Sequence, residues 1–243
     1  MQQMTYAQVV EMLVALRNRT REPQLDDAGG FMKFCLEHIS RSRSQILQDL
    51  WVAYELNSRR NGFFVEFGGA DGIKDSNSYY LETELGWRGI IAEPGRIWRP
   101  AIYYNRNCYV DDRCVWTESG KTLTFNQPPI AVHSTIDAYS AADSLAHTRE
   151  QGLRYEVQTI SLNDLLGHWE APRRIEYMSI DTEGSELDIL SRFDFARYDV
   201  RLLTVEHNHS DKRQPLYDLL TSKGYRRKFE HLSAVDDWYV KVY

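Results

Sequence analysis

The stretch Phe63–Gly72, FFVEFGGADG, decides the fold. It reads as a short apolar strand running straight into a Gly-Gly-Ala-Asp-Gly turn. Only glycine enters positive φ freely and lets a ligand come this close to the backbone. A buried strand that ends in such a turn and then enters a helix is how open α/β sheets build nucleotide sites. About twenty residues further on, a second apolar strand, GIIAE, ends in Glu93, where such folds grip a ribose hydroxyl pair. The two strands together predict an adenosine-type cofactor without saying which one.

Working outward, the pattern alternates. After strand 63–67, a helix is expected from about Ser76 to Leu85, then strand 89–92 and short strands at Cys108–Val110 and Thr122–Phe125. The polar stretch from Gln127 to Gly152 has weak periodicity and reads as an irregular excursion, a candidate substrate-facing lid. Ser161 opens a short helix with Asp164 as a capping-box variant. Strand 175–181, helix 185–193, strand 200–206 and a helix over 215–223 closed by Gly224 follow. YRRKF and DDWYVKVY then read as a terminal antiparallel pair.

Upstream, residues 4–18 and 31–39 have helical spacing, and Ser44 is placed to cap SQILQDLWVAYEL. The expectation is an α/β, Rossmann-like chain with a seven-stranded, mostly parallel sheet and a C-terminal antiparallel hairpin. Residues 1–43 form a helical extension to a domain spanning 44–243. The helical segments suit packing on the sheet, covering the site or pairing with a second copy.

In such sheets ligands collect at the carboxyl ends of the strands, and here four of those ends are polar. The first is Gly68-Gly69-Ala70-Asp71-Gly72, which departs from Gly-x-Gly-x-x-Gly because Ala70 and Ile73 stand at glycine positions. Glu66 and Asp71 flank it. Carboxylates oppose a pyrophosphate and suit a cofactor with a cationic end, as in S-adenosylmethionine. The second is Glu93, followed by Pro94. The third is Asp181-Thr182-Glu183-Gly184-Ser185-Glu186, where Thr182 or Glu186 suits capping and Asp181 suits function. The fourth is Glu206-His207-Asn208-His209.

Asp181, Glu206 and His207 converge if strands 175–181 and 200–206 are neighbours. A carboxylate beside an imidazole serves general-base catalysis. Two carboxylates with His or Asn serve equally as ligands for a hard divalent cation such as Mg²⁺, with Asp181 and Glu206 as its donors.

Composition narrows the class. A net charge of −6 argues against a nucleic-acid partner, and the short clusters Arg173-Arg174 and Arg226-Arg227-Lys228 read as solvated charge. Cys35, Cys108 and Cys114 form no Cys-x-x-Cys pair, which points to a reducing, cytoplasmic setting. No apolar run approaches the roughly 20 residues of a membrane span, and the N-terminus lacks a signal-peptide pattern.

FVEFGGADGIKDSNSYYLETELGWRGIIAEP, with YMSIDTEGSELDIL, LLTVEHN and the upstream SQILQDLWV, resembles the FkbM-type methyltransferases over approximately residues 44–243. The chain departs from them at Gly69-Ala70, where relatives often carry Ala-Asn. The resemblance implies a class I fold and S-adenosylmethionine as methyl donor. It implies that Glu66, Gly68, Gly69, Ala70 and Asp71 hold the methionine end, with Asn77 beside them and Gln45 closing over the carboxylate. Glu93 would hold the ribose and Asp112 the adenine amino group. Asp181 and the 206–208 group would face a small-molecule or glycan acceptor, with Asp181 or His207 taking a hydroxyl proton. Two alternatives stand at this point. One is an NAD-dependent oxidoreductase, opposed by the acidic turn and by the lack of any Tyr-x-x-x-Lys pair. The other is a cofactor-binding subunit without catalysis.

Overall fold

The computed structural model describes residues 5–19, 21, 26–141 and 144–243. Met4, the first residue of the expected N-terminal helix, and Ala142 and Asp143 of the expected excursion lie outside them. Three helices come first: α1 (Tyr6–Arg19), α2 (Asp27–His38) and α3 (Gln48–Glu55). No residue of α1 is buried. Asp26 caps α2 by accepting from the Gly29 amide at 2.7 Å.

Leu47, at φ +67°, and not Ser44 is the residue through which the chain enters α3. The Ser44 hydroxyl still meets the first turn, donating to Asp49 Oδ1 at 2.7 Å and accepting from the Asp49 amide at 3.4 Å. Asp49 is fully buried and also accepts from Ser42 Oγ and from the Arg43 and Leu50 amides. Ser44 to Leu47 of the Ser-Gln-x-x-Gln-Asp segment thus form a loop organised around the carboxylate of Asp49 in the first turn of α3.

The main sheet contains β1 (Phe63–Phe67), β2 (Arg88–Ala92), β3 (Tyr109–Asp111), β8 (Arg174–Ile180), β9 (Asp199–Glu206), β10 (Tyr225–Lys228) and β11 (Asp236–Lys241). Interposed are β4 (Cys114–Trp116), β5 (Thr122–Gln127), β6 (Thr135–Ile136) and β7 (Leu153–Ser161), which make a second, four-stranded sheet. The remaining helices are α4 (Tyr79–Thr83), α5 (Arg99–Asn105), α6 (Ala146–Arg149), α7 (Leu162–His168), α8 (Glu186–Ser191) and α9 (Arg213–Ser222). Ser161 caps α7 as expected, accepting from the Asp164 amide.

The main sheet runs in the order β10-β11-β9-β8-β1-β2-β3, with β11 antiparallel to both of its neighbours. Alternation across the strands sorts the core. Val65, Ile90, Met178, Leu203 and Tyr239 line one face, packed with Leu165, Leu190 and Leu220. Phe64, Ile91, Tyr177, Leu202 and Trp238 line the other, covered by Trp51 of α3 and Ile102 of α5. From β1 the chain proceeds to β2 on one side, whereas β8 leads to β9 on the other. The crevice beyond the ends of β1 and β8 is therefore the topological switch point.

The expected excursion, 127–152, stays largely irregular: its described residues hold β6, two 3₁₀ turns and α6, while the second sheet is built mainly from the strands that flank it. Sequence reading found neither β7 nor β4. β7 is nine residues long and alternates exposed with buried positions only in its second half, so its periodicity is diluted.

Candidate active site

A cavity of about 310 Å³ opens at the switch point. That volume lies within the range of small-molecule sites. Its first side is built from main chain. Gly68, at φ +76°, leaves β1 so close to β8 that a Cβ there would come within 2.3 Å of the Asp181 carbonyl oxygen. Ala70 follows at φ +44°, an uncommon conformation for a residue with a side chain. Its amide donates to Glu93 Oε2 at 2.9 Å, and the Gly95 amide donates to Glu93 Oε1 at 2.7 Å. Glu93 is buried at the end of β2, and burial pushes its carboxyl up to about 7. Two amides occupy half of its lone-pair positions, and it lines the cavity with the rest.

Asn77 lines the same side. Its amide is fixed by Glu66 and its Nδ2 by Ser179 Oγ at 2.9 Å. The Oδ1 has no hydrogen-bond partner among the described residues, although the residue is only 6% exposed. Trp98, Val115 and Phe125 give an apolar wall beyond Glu93, and Gly95 admits Trp98 there because any Cβ would strike its ring at 2.8 Å. Gln45 stands exposed at the mouth, and Gln48 lines the wall while donating to Asp236 Oδ2 at 2.8 Å. A bridge between Ser44 and Asp75 carries this loop across the cavity edge.

Several residues expected at the cofactor do other work. Glu66 does not line the cavity: its oxygens accept from Ser76 Oγ at 3.0 Å, the Asn77 amide at 2.6 Å and the Ser78 hydroxyl, with Arg106 alongside. It shapes the loop that presents Asn77, which is also why α4 begins at Tyr79 and not at Ser76. Asp71 accepts from the Ile73 and Lys74 amides, both at 2.8 Å, and closes its own turn. Gly69 packs on the sheet, where a Cβ would meet Ile91 Cγ2 at 2.4 Å. Asp112 points away, paired with Arg99 at 3.1 Å. Its neighbour Asp111 is the buried one; burial raises its carboxyl, but hydrogen bonds from Arg113 and Trp169 outweigh that and hold it low.

The acidic setting inferred from Glu66 and Asp71 is therefore real but made by other carboxylates: Glu93, Asp181, Glu183 and Glu206 all border the cavity.

Asp181 and Glu206 face that second side from the ends of β8 and β9, close enough to share a hydrogen bond. Burial raises both carboxyls, Asp181 to about 6; the charge and hydrogen bond of Asp181 raise Glu206 further, whereas the hydrogen bond from Glu206 favours ionised Asp181, so the pair holds its proton on Glu206. Oxygens of Asp181, Glu183 and Glu206 lie within 4.8 Å of one another. Glu183 accepts from Arg149 Nη2 at 2.6 Å, so its charge is balanced.

His207 is turned away from this cavity. It borders a separate space of about 180 Å³ beside Lys212, its Nδ1 accepts from the His209 amide at 3.0 Å, and burial lowers it to about 4. Gln48, Trp98 and Arg149 were given no role from sequence, and Glu183 was read only as part of the 181–186 strand end. Only Gln48 carried a signal, being one residue from Asp49 in the Ser-Gln-x-x-Gln-Asp segment.

Among the described residues no helix is long and apolar enough to cross a membrane. Three solved structures resemble the chain at a distance. A precorrin-6Y C5,15-methyltransferase from Geobacter metallireducens matches at 12% identity and TM-score 0.41, covering 79% of this chain and 85% of that one. A human methyltransferase 10 domain containing protein matches at 11% and 0.43, over 90% of this chain and 97% of that one. The methyltransferase domain of METTL16 matches at 12% and 0.42, over 98% and 92%. With TM-scores below 0.5 these are distant resemblances. No curated protein matches the chain. The Methyltransferase FkbM domain matches residues 66–227, from the carboxylate that ends the first strand to the edge strand of the sheet. That match favours methyl transfer over nicotinamide chemistry: the chain belongs to the FkbM methyltransferase family, whose members are S-adenosylmethionine-dependent.

Proposed function

We propose that the chain is an O-methyltransferase acting on a hydroxyl of a sugar, glycan or secondary metabolite. The observation that carries this reading is the hydrogen-bonded pair of half-buried Asp181 and buried Glu206, which borders one cavity together with Glu93.

The cavity's donor set fits S-adenosylmethionine. Glu93 suits vicinal ribose hydroxyls as a charge-assisted acceptor. The apolar wall with Trp98 suits a purine. Asn77 Oδ1, buried and unpartnered among the described residues, suits an ammonium donor. A cationic end is favoured in a space bordered by five carboxylates, Asp75, Glu93, Asp181, Glu183 and Glu206, against one lysine, Lys74. When bound, the cofactor supplies an electrophilic methyl on a sulfonium.

The chain's own contribution is alignment, exclusion of water and removal of one proton. Asp181, in its ionised form, accepts the acceptor's hydroxyl proton, and protonated Glu206 holds Asp181 in place by hydrogen bond until then. A divalent cation on Asp181 and Glu206 is the weaker reading. The third carboxylate of the cluster, Glu183, already has Arg149 as its counter-charge, and a proton serves the remaining two.

The test joins binding to turnover. Asp181→Asn is expected to bind S-adenosylmethionine within about threefold of the parent by calorimetry. Transfer of a labelled methyl group to hydroxylated acceptors should slow by about 100-fold or more. Full transfer by the variant removes Asp181 from the reaction. Strong cofactor binding with no transfer to any glycan or metabolite pool favours the non-catalytic subunit, and a requirement for added Mg²⁺ favours the cation. NAD serves as the negative control for binding.

A further inference from the structure

We infer that Arg149 is a positioning residue for the acceptor side of the cavity. Its guanidinium and the Glu183 carboxylate together lock the wall formed by 131–136 onto the β8–α8 turn. This inference rests on the proposal that this side receives the acceptor.

Arg149 is 0% exposed, yet it comes from a four-residue helix in a polar stretch of sequence. Its Nη2 reaches Glu183 Oε2 at 2.6 Å, and its Nε donates to the His133 carbonyl at 2.8 Å. One side chain thus touches both walls. Thr135 Oγ1 adds a second tie to the Glu183 carbonyl at 2.9 Å, and Asn208 Nδ2 reaches Glu183 Oε2 at 3.3 Å. His133, Ser134, Ile136, Glu183 and Asn208 all border the cavity.

The backbone around Arg149 is equally constrained. Asn126, itself buried, donates to the Arg149 carbonyl at 3.0 Å, and Gly152 packs against it so tightly that a Cβ would come within 1.7 Å of Asn126 Oδ1. On the other wall Glu183 stands at φ +57°, a strained conformation that the surroundings must enforce.

A buried ion pair is a poor device for stability, because desolvating two charges offsets most of their attraction. It is a good device for registry, since one geometry satisfies both partners and neighbouring geometries leave a charge unmet. Here the two partners belong to the two walls whose separation defines the space beside Asp181 and Glu206.

The test uses the full chain and S-adenosylmethionine carrying a ¹³C-labelled methyl group, so it needs no known acceptor. Four forms are compared: the parent, Arg149→Met, Glu183→Gln and the double variant, with Arg149→Lys as the conservative control. Readouts are cofactor affinity by calorimetry, the NMR signal of the bound methyl group, and amide exchange at 131–136 and 182–185. Arg149→Met is expected to keep affinity within about threefold, since Glu93 and Asn77 lie on the other side. Its methyl signal should shift or broaden, and exchange in both segments should rise at least tenfold. The double variant should be no worse than the more affected single variant, the signature of residues that act as a pair. Arg149→Lys should recover part of the loss.

Additive effects overturn the inference, as does an unchanged methyl signal in Arg149→Met. So does loss of the fold in both Arg149→Met and Arg149→Lys, which would make Arg149 a global structural residue. If Arg149→Met does not fold, Arg149→Lys and Glu183→Gln give the same readouts on folded protein. Removal of Asp181 from the reaction by the earlier test leaves these results untouched, so the two failures are distinguishable.

Discussion

The two sides of the cavity are made of different material. The cofactor side is mostly backbone: a glycine at the end of β1, two amides on Glu93, and a loop held by Glu66. These parts come from one continuous stretch of sequence, 66–98, with Gln45, Gln48, Val115 and Phe125 completing the wall. The acceptor side is mostly side-chain charge: Asp181, Glu183 and Glu206 balanced by a shared proton and by Arg149. Its parts come from three distant segments. A backbone site is broken by adding an atom, whereas a charge site is broken by removing a partner.

Gly68→Ala is the most severe way to test the first half of that contrast. Its φ of +76° already strains any side chain, and the added Cβ would meet the Asp181 carbonyl oxygen at 2.3 Å. We expect a clear fall in melting temperature and cofactor binding weakened about 100-fold or more, since β1 and β8 must part. Because that contact joins the two sides, near-normal affinity would break the comparison at its base. Glu93→Gln comes next. It keeps shape but removes charge from two hydrogen bonds to the ribose and two to amides. A loss of about 1.5–3 kcal/mol, roughly 10- to 150-fold in Kd by calorimetry, is expected, with a much smaller change in the rate of the loaded enzyme.

The same contrast explains what the sequence revealed. The cofactor side was legible because a glycine turn after an apolar strand, and an acid at the end of the next strand, are local patterns with one common use. Even there the roles were misassigned within the pattern. Glu66 and Asp71 lie beside the turn in sequence but spend their oxygens on neighbouring donors, which linear spacing does not reveal. Asp112 was chosen one residue from the buried Asp111, and neither borders the cavity. On the acceptor side Asp181 and Glu206 were readable as strand ends. Arg149 was not, because a buried arginine in a polar segment looks like solvated charge until its partner, 34 residues away, is brought to it.

A pH series sharpens the comparison with a smaller effect. Asp181 is raised to about 6 and Glu93 to about 7, chiefly by burial. Transfer should rise as pH climbs through about 6, because Asp181 accepts a proton only once ionised. Cofactor affinity should weaken below about pH 7, where Glu93 takes up a proton. Stability of the cofactor-free chain should run the other way. A carboxylate raised in the folded state holds a proton that the unfolded chain has released, so its contribution is full below the unfolded value and is lost as pH rises through the folded one. With Asp236 also raised to about 7, these groups favour a higher melting temperature near pH 5.5 than near pH 7.5. Added S-adenosylmethionine should narrow that gap, because it binds the ionised form of Glu93. A flat profile in both melting and binding over this range would show that the buried carboxylates are ionised throughout.

The smallest expected effect belongs to His207, which sequence spacing made a candidate base. Its Nδ1 accepts from the His209 amide, which leaves the proton on Nε2, 3.8 Å from Asp237 Oδ1. An imidazole lowered to about 4 is neutral at pH 7 and a weak proton acceptor. It also faces the 180 Å³ space on the far side of Glu206 and not the main cavity. His207→Gln should therefore keep the methyl-transfer rate within about threefold, with any loss appearing in melting temperature as the price of a buried substitution. A 100-fold loss of rate with unchanged cofactor affinity would mean that the acceptor side extends behind Glu206. In that case the charge-built half would reach across both cavities, and the proton would leave by way of the imidazole.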